Sequence, residues 1–276
     1  MTDILLEALY DSVNMVPFLF ITYLIIEYLE HCSSGKLGSV MARFGRFGPL
    51  GGAVLGCVPQ CGFSASAANL YSNRVITLGT LVAVFVSTSD EALPILLSNP
   101  GHSAEVLKLI GLKIVIAVCA GFLTDFVLRK KLVLQTETQS KHTHCCRGKK
   151  DLRGVVIASL KHTISTYLFV LVISAVLGLA IEVMGQDKIS LIFMSNTIFQ
   201  PFFAALVGFI PNCASSVILT QLYIEGTLSF GSVVAGLCTG AGVGYAVLFK
   251  ENRPMKENFK IMAITYVVAV IAGIIF

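Results

Sequence analysis

Two six-residue phrases hold the residue types most able to do chemistry: Gly56-Cys57-Val58-Pro59-Gln60-Cys61 and, 152 residues later, Gly208-Phe209-Ile210-Pro211-Asn212-Cys213. Thiolates are soft ligands suited to thiophilic metals and trivalent metalloids, and Cys57, Cys61 and Cys213 drawn together would make a trigonal pocket. Gln60 and Asn212 can coordinate a substrate or satisfy backbone groups released by Pro59 and Pro211, since proline removes a helix hydrogen bond and displaces the residue before it from helical geometry. Ser64 and Ser216 keep the same spacing and add hydroxyls as substrate contacts. Cysteine is also a common small buried residue, so each thiol has a packing reading beside the ligand one. Cys119 and Cys238, outside the repeated phrase, are read as packing alone.

A second cluster, Ser87-Thr88-Ser89-Asp90-Glu91, interrupts an apolar run, with Pro94 one turn later. Two adjacent carboxylates at membrane depth are costly unless paired, protonated or bound to an ion. Ser89, Asp90 and Glu91 are therefore expected to contact substrate, and the two acids to serve as metal ligands and as the proton-coupling pair. The other reading is a surface turn where the run is broken. The stretch 152 residues on, Thr239-Gly240-Ala241-Gly242-Val243-Gly244, carries no charge, and its glycines suit close backbone approach. Between the halves, His142-Thr143-His144-Cys145-Cys146 has a metal-binding composition without the spacing of a preformed zinc site. His142, His144, Cys145 and Cys146 are read as a metal-sampling loop or as a solvated linker.

These clusters must be positioned inside a bilayer. The chain is 55% hydrophobic and 13% charged, against about 25% charged in a soluble domain, so the surface cannot be covered by polar residues. Runs near the 20 residues needed to span fall at 12–30, 75–98, 104–128, 155–184, 228–249 and 259–276. Two further regions, 47–72 and 189–223, are divided by the proline phrases into shorter pieces, each either a pair of tilted short helices or a hairpin. The expectation is an all-α integral membrane protein of about ten segments, with 1–131 and 153–276 as two repeats around a basic loop, 132–152. Lys and Arg crowd the loops at 36–46, 129–153 and 250–260. Facing these to the cytoplasm puts both termini outside and the two repeats in opposite orientation, with the chain in the plasma (inner) membrane.

Together, Pro17-Phe18-Leu19-Phe20, Glu27-Tyr28-Leu29-Glu30-His31, the two proline phrases with Ser64 and Ser216, and Thr88-Ser89-Asp90-Glu91-Ala92 resemble the ten-transmembrane heavy-metal exporters, also labelled arsenic efflux proteins or manganese transporters. The resemblance implies efflux of a metal or metalloid and does not choose the ion. The carboxylates, amides and carbonyls suit manganese or another oxygen-loving divalent ion, and the thiols suit arsenite or a soft metal. Proton exchange through Asp90 or Glu91 is the expected drive. No permanently bound cofactor, no enzymatic step and no nucleic-acid partner is expected; membrane lipid and the transported ion are the expected partners, with a homo-oligomer left open. Two other classes remain: an anion or organic-acid carrier using helix N-termini with Ser64 and Ser216, and a membrane-embedded thiol redox enzyme cycling Cys57 and Cys61.

Overall fold

The computed structural model describes residues 47–57, 61–88, 92–98, 103–132, 152–184, 199–211 and 214–276, with helical residues within 13–24. Among the described residues there are helices and no strands. In chain order the helices are α1 (Gly48–Gly56), α2 (Cys61–Ser72), α3 (Leu78–Ser87), α4 (Ala92–Ser98), α5 (Ser103–Leu132), α6 (Leu152–Met184), α7 (Gln200–Val207), α8 (Ala214–Ile224), α9 (Phe230–Thr239), α10 (Val243–Glu251) and α11 (Met255–Ile275). A shift of 152 residues carries α1 onto α7, α2 onto α8, α3 onto α9, α4 onto α10 and the start of α5 onto the start of α11.

Matched local chemistry explains the matched boundaries. Thr77 caps α3 by accepting from the Thr80 N–H, and Ser229 caps α9 by accepting from the Ser232 N–H. Pro49 and Pro201 occupy the first turns of α1 and α7, where the missing N–H costs nothing. Helices α2 and α8 both close with a six-residue backbone bond, Val75 N–H to Leu70 O at 2.8 Å and Thr227 N–H to Leu222 O at 2.9 Å. The left-handed residue of that closure is Gly226 at φ 77° in the second half, but Arg74 at φ 58° in the first.

Close helix contacts repeat as well. A Cβ on Gly79 would stand 2.1 Å from the Gly121 carbonyl oxygen, and one on Gly231 would stand 2.3 Å from that of Gly273. Small residues thus bring α3 against α5 and α9 against α11, as helices pack in lipid where hydrophobicity offers no drive between them. A Cβ on Gly48 would strike Thr80 and one on Gly56 would strike Ser87, so α1 runs alongside α3 from start to end. Helix α2 then returns to Tyr71 and Arg74, a few residues before the α3 cap. The first proline phrase therefore lies between two arms, α1 leading away from the level at which α3 starts and α2 leading back to it. Its two arms, 9 and 12 residues, are roughly 14 and 18 Å long, about half of a 30 Å hydrocarbon core.

Polarity is inverted relative to a soluble protein. Leu107, Phe122, Leu123, Phe126, Ile157, Ile164, Val172, Phe259, Ile271 and Ile275 are exposed, while Ser64, Asn69, Thr88, Lys113, Thr166, Gln200, Thr239, Asn258 and Thr265 are buried. That arrangement fits lipid outside and hydrogen-bonded groups inside. Among the described residues three stretches are long and apolar enough to span, Glu105–Leu128, Phe230–Glu251 and Met255–Ile275. The span expected at 228–249 is present as Phe230–Glu251 and is broken inside: α9 ends at Thr239, Gly242 takes φ 50°, and α10 starts afresh at Val243. Glycine, without Cβ, permits that break. Its counterpart breaks between Ser87 and Ala92.

Candidate functional site

The centre of the molecule is organised by Lys113, about a third of the way along α5. Its Nζ donates to the carbonyl oxygen of Thr88, which caps the C-terminal end of α3, and to that of Leu237 in the last turn of α9, the latter at 2.8 Å. The side chain is 0% exposed. Cys57 caps the end of α1 and donates its thiol to the Ala53 carbonyl at 3.2 Å. Both Cys57 and Cys238 lie within electrostatic reach of the Lys113 ammonium. Around them, the Tyr245 ring packs against Phe85 with centroids 4.7 Å apart and against Phe209 at 5.2 Å, and its hydroxyl donates to Thr265 Oγ1 at 3.0 Å. Ends of α1, α3, α7 and α9 share this level, because a Cβ on Gly208 would meet the Gly236 carbonyl and Thr239 Oγ1 at 2.1 and 2.3 Å.

Of the residues expected from sequence, Cys57 stands at this centre. Ser64 is buried on α2 against α10, where a Cβ on Gly244 would lie 2.8 Å from the Ser64 Cβ; this is the close backbone approach expected of the glycine-rich copy. Ser216 is buried on α8. Cys61 is placed only as the first residue of α2. Gln60, Ser89, Asp90, Glu91, Asn212, Cys213 and the loop residues His142, His144, Cys145 and Cys146 lie outside the described residues. Among the described residues no group of three or more His, Cys, Asp or Glu could hold a metal. Cys238, read from sequence as packing alone, is buried one residue from a Lys113 partner. Sequence reasoning missed Lys113, although the rule applied to Asp90 and Glu91, that an ionisable group inside an apolar span is functional by default, covers it equally.

The two ends of the bundle carry an exchanged pair. The Tyr71 hydroxyl donates to Glu257, and the Tyr223 hydroxyl donates to Glu105. Tyr71 and Tyr223 are 152 residues apart, as are Glu105 and Glu257, so each half's tyrosine reaches the other half's glutamate. Helix α2 likewise packs on α10, and its counterpart α8 on α4. The contacts are thus exchanged between the two halves. The Tyr71 end adds an arginine: Arg74 donates to both Glu257 oxygens at 2.8 and 3.0 Å and lies over the Tyr71 ring. Hydrogen bonding to that carboxylate raises the already high guanidinium pKa. Near the same end Asp125 accepts from Thr77 Oγ1 and from the Gly79 N–H, both at 2.8 Å, and so complements the positive end of the α3 dipole. At the start of α9 the corresponding task falls to Gln200, which accepts from the Ser229 N–H and Ser232 Oγ and donates to the Thr227 carbonyl.

Searches of curated proteins and of solved structures found no match. A family model described as "Putative, 10TM heavy-metal exporter" matches residues 1–194 and 179–276. The two matches cover the chain from end to end, including the proline phrases, the broken helices and Lys113. With its lipid-facing apolar exterior and hydrogen-bonded core, this chain belongs to the ten-transmembrane heavy-metal exporter family.

Proposed function

We propose that the protein exports a heavy-metal or metalloid ion, arsenite-type or a divalent cation such as manganese, in exchange for protons. The observation that carries this reading is the meeting of α1, α3, α7 and α9 ends at one buried level, with Cys57 beside it. Broken helices at midplane, with unwound backbone and side-chain ligands, are where secondary transporters hold their ions. In the sequence Gln60 and Cys61 follow α1 and Asn212 and Cys213 follow α7, and Asp90 and Glu91 follow Thr88 by two and three residues. In this reading the thiols and carboxylates bind the ion, and protonation of Asp90 or Glu91 releases it.

The halves are read as an inverted-topology pair, 1–131 and 153–276, with 132–152 cytoplasmic and both termini outside. Support comes from α5: Glu105 near its start meets Tyr223, whereas Asp125 near its end meets Gly79, so α3 and α9 approach the centre from opposite ends. Efflux into inside-out vesicles, measured with a panel of metal ions and arsenite, tests the substrate. Cys61→Ser and Asp90→Asn separate the ligand roles. Asp90→Asn exporting like the parent across a pH series removes the proton-exchange step, and manganese transport surviving loss of all three cysteines removes the soft site.

Lys113 favours one competing reading, an anion or organic-acid carrier, because it sets a buried positive charge at the centre. Uptake of arsenate or small carboxylates in the same vesicles, abolished by removing Lys113 and indifferent to Asp90→Asn, would select it.

A further inference from the structure

Helices α3 and α9 come from different halves, yet their C-terminal ends open toward the same atom. A helix C-terminus carries roughly half a negative charge on carbonyls that have no partner within the helix. Two such ends facing one another in a dry interior repel, and each leaves acceptors that must be satisfied. One ammonium, donating to Thr88 O and to Leu237 O, bridges both sets.

The duplication supplies only one such group. The counterpart of Lys113 is Thr265, whose hydroxyl bonds back to Ile261 and Met262 carbonyls of its own helix and accepts from Tyr245. Other titratable groups facing the ammonium among the described residues are the thiols of Cys57 on α1 and Cys238 on α9. We propose that the ends of α3 and α9 form a backbone-carbonyl cation site whose occupant is the tethered ammonium of Lys113, and that this occupant holds the two halves together. The site accepts a small primary ammonium ion when the tether is cut. It stands whichever ion the protein exports.

The test uses the full chain, purified in detergent, and reads thermal unfolding rather than transport. Lys113→Ala removes the ammonium and its stem and leaves room for propylammonium. The variant is expected to melt well below wild type, by about 5 °C or more for a residue this buried, and propylammonium chloride is expected to restore most of the loss as its concentration rises. Tetramethylammonium chloride, which lacks N–H donors, and propanol, which lacks charge, are expected to restore nothing, and wild type to be indifferent to all three. A Lys113→Ala protein as stable as wild type, or one rescued equally by tetramethylammonium, overturns the site. Should Lys113→Ala not be recovered, Lys113→Gln decides: its amide keeps two N–H donors without charge, so it is expected to fold, to melt below wild type and to ignore propylammonium. Melting equal to wild type overturns the proposal.

Discussion

Replacing Gly79 with alanine tests how the two helices that frame the centre are held. The added Cβ would lie 2.1 Å from the Gly121 carbonyl oxygen and 2.5 Å from the Asp125 carboxyl carbon, and Cβ atoms essentially never approach closer than 3.0 Å. The obstacle is backbone, so no rotamer change relieves it; α3 and α5 must separate by roughly 1 Å along their contact. Separation also stretches the 2.8 Å bond from the Gly79 N–H to Asp125. Overpacking in a rigid site costs about 1–3 kcal/mol, and the upper end is expected because neither partner can yield. On a domain scale that is a fall in melting temperature of roughly 6–12 °C. Gly111→Ala, on α5, is the control: nothing lies within 4 Å of its Cβ, so exchanging a helical glycine for alanine should raise stability by about 0.5–1 kcal/mol. Melting followed by fluorescence-detected size exclusion, with both variants in one detergent, reads the contrast. Gly79→Ala melting within a degree of wild type, or above Gly111→Ala, refutes the close-packing account.

Three further outcomes follow from the same geometry. Glu257→Gln removes a bidentate ion pair whose arginine side chain is 41% exposed, so screening limits the loss to about 1 kcal/mol; adding Arg74→Gly should return about 1 kcal/mol, because φ 58° suits glycine, and thermal melting of the single and double variants checks both. Asp125→Asn keeps an acceptor but loses the charge at the α3 start, for a cost of about 1 kcal/mol in the same assay. Gln200→Leu leaves the Ser229 N–H, Ser232 hydroxyl and Thr227 carbonyl short of a partner and should cost about 1–3 kcal/mol, visible as faster proteolysis around residue 226 as well as lower melting.

What could be read from the amino-acid order was whatever depends on near neighbours or on solvent. Charge-poor composition placed the chain in lipid, and the 152-residue recurrence located the matched elements before any coordinate. Pro59, the Ser87–Glu91 cluster and the Gly240–Gly244 stretch marked where helices stop, since each acts on its own backbone hydrogen bonds. The run at 228–249 stands as a span by length and composition, but hydropathy averages over glycine and so does not show the positive φ of Gly242 inside it.

Only the tertiary structure decided who meets whom. Lys113 reads from sequence as one charge in an apolar run, and its partners at 88 and 237 are 25 and 124 residues away. Tyr71 finds Glu257 and Tyr223 finds Glu105 across the two halves, a pairing that no local pattern encodes because it exists only once both halves are assembled. Arg74 occupies a left-handed position that its copy gives to Gly226, and long-range pairing with Glu257 is what offsets the strain. Local propensity and solvent preference are additive along the chain; the convergence of helix ends on one ammonium is a property of their packing, and packing is where the symmetric scaffold acquires its asymmetric charge.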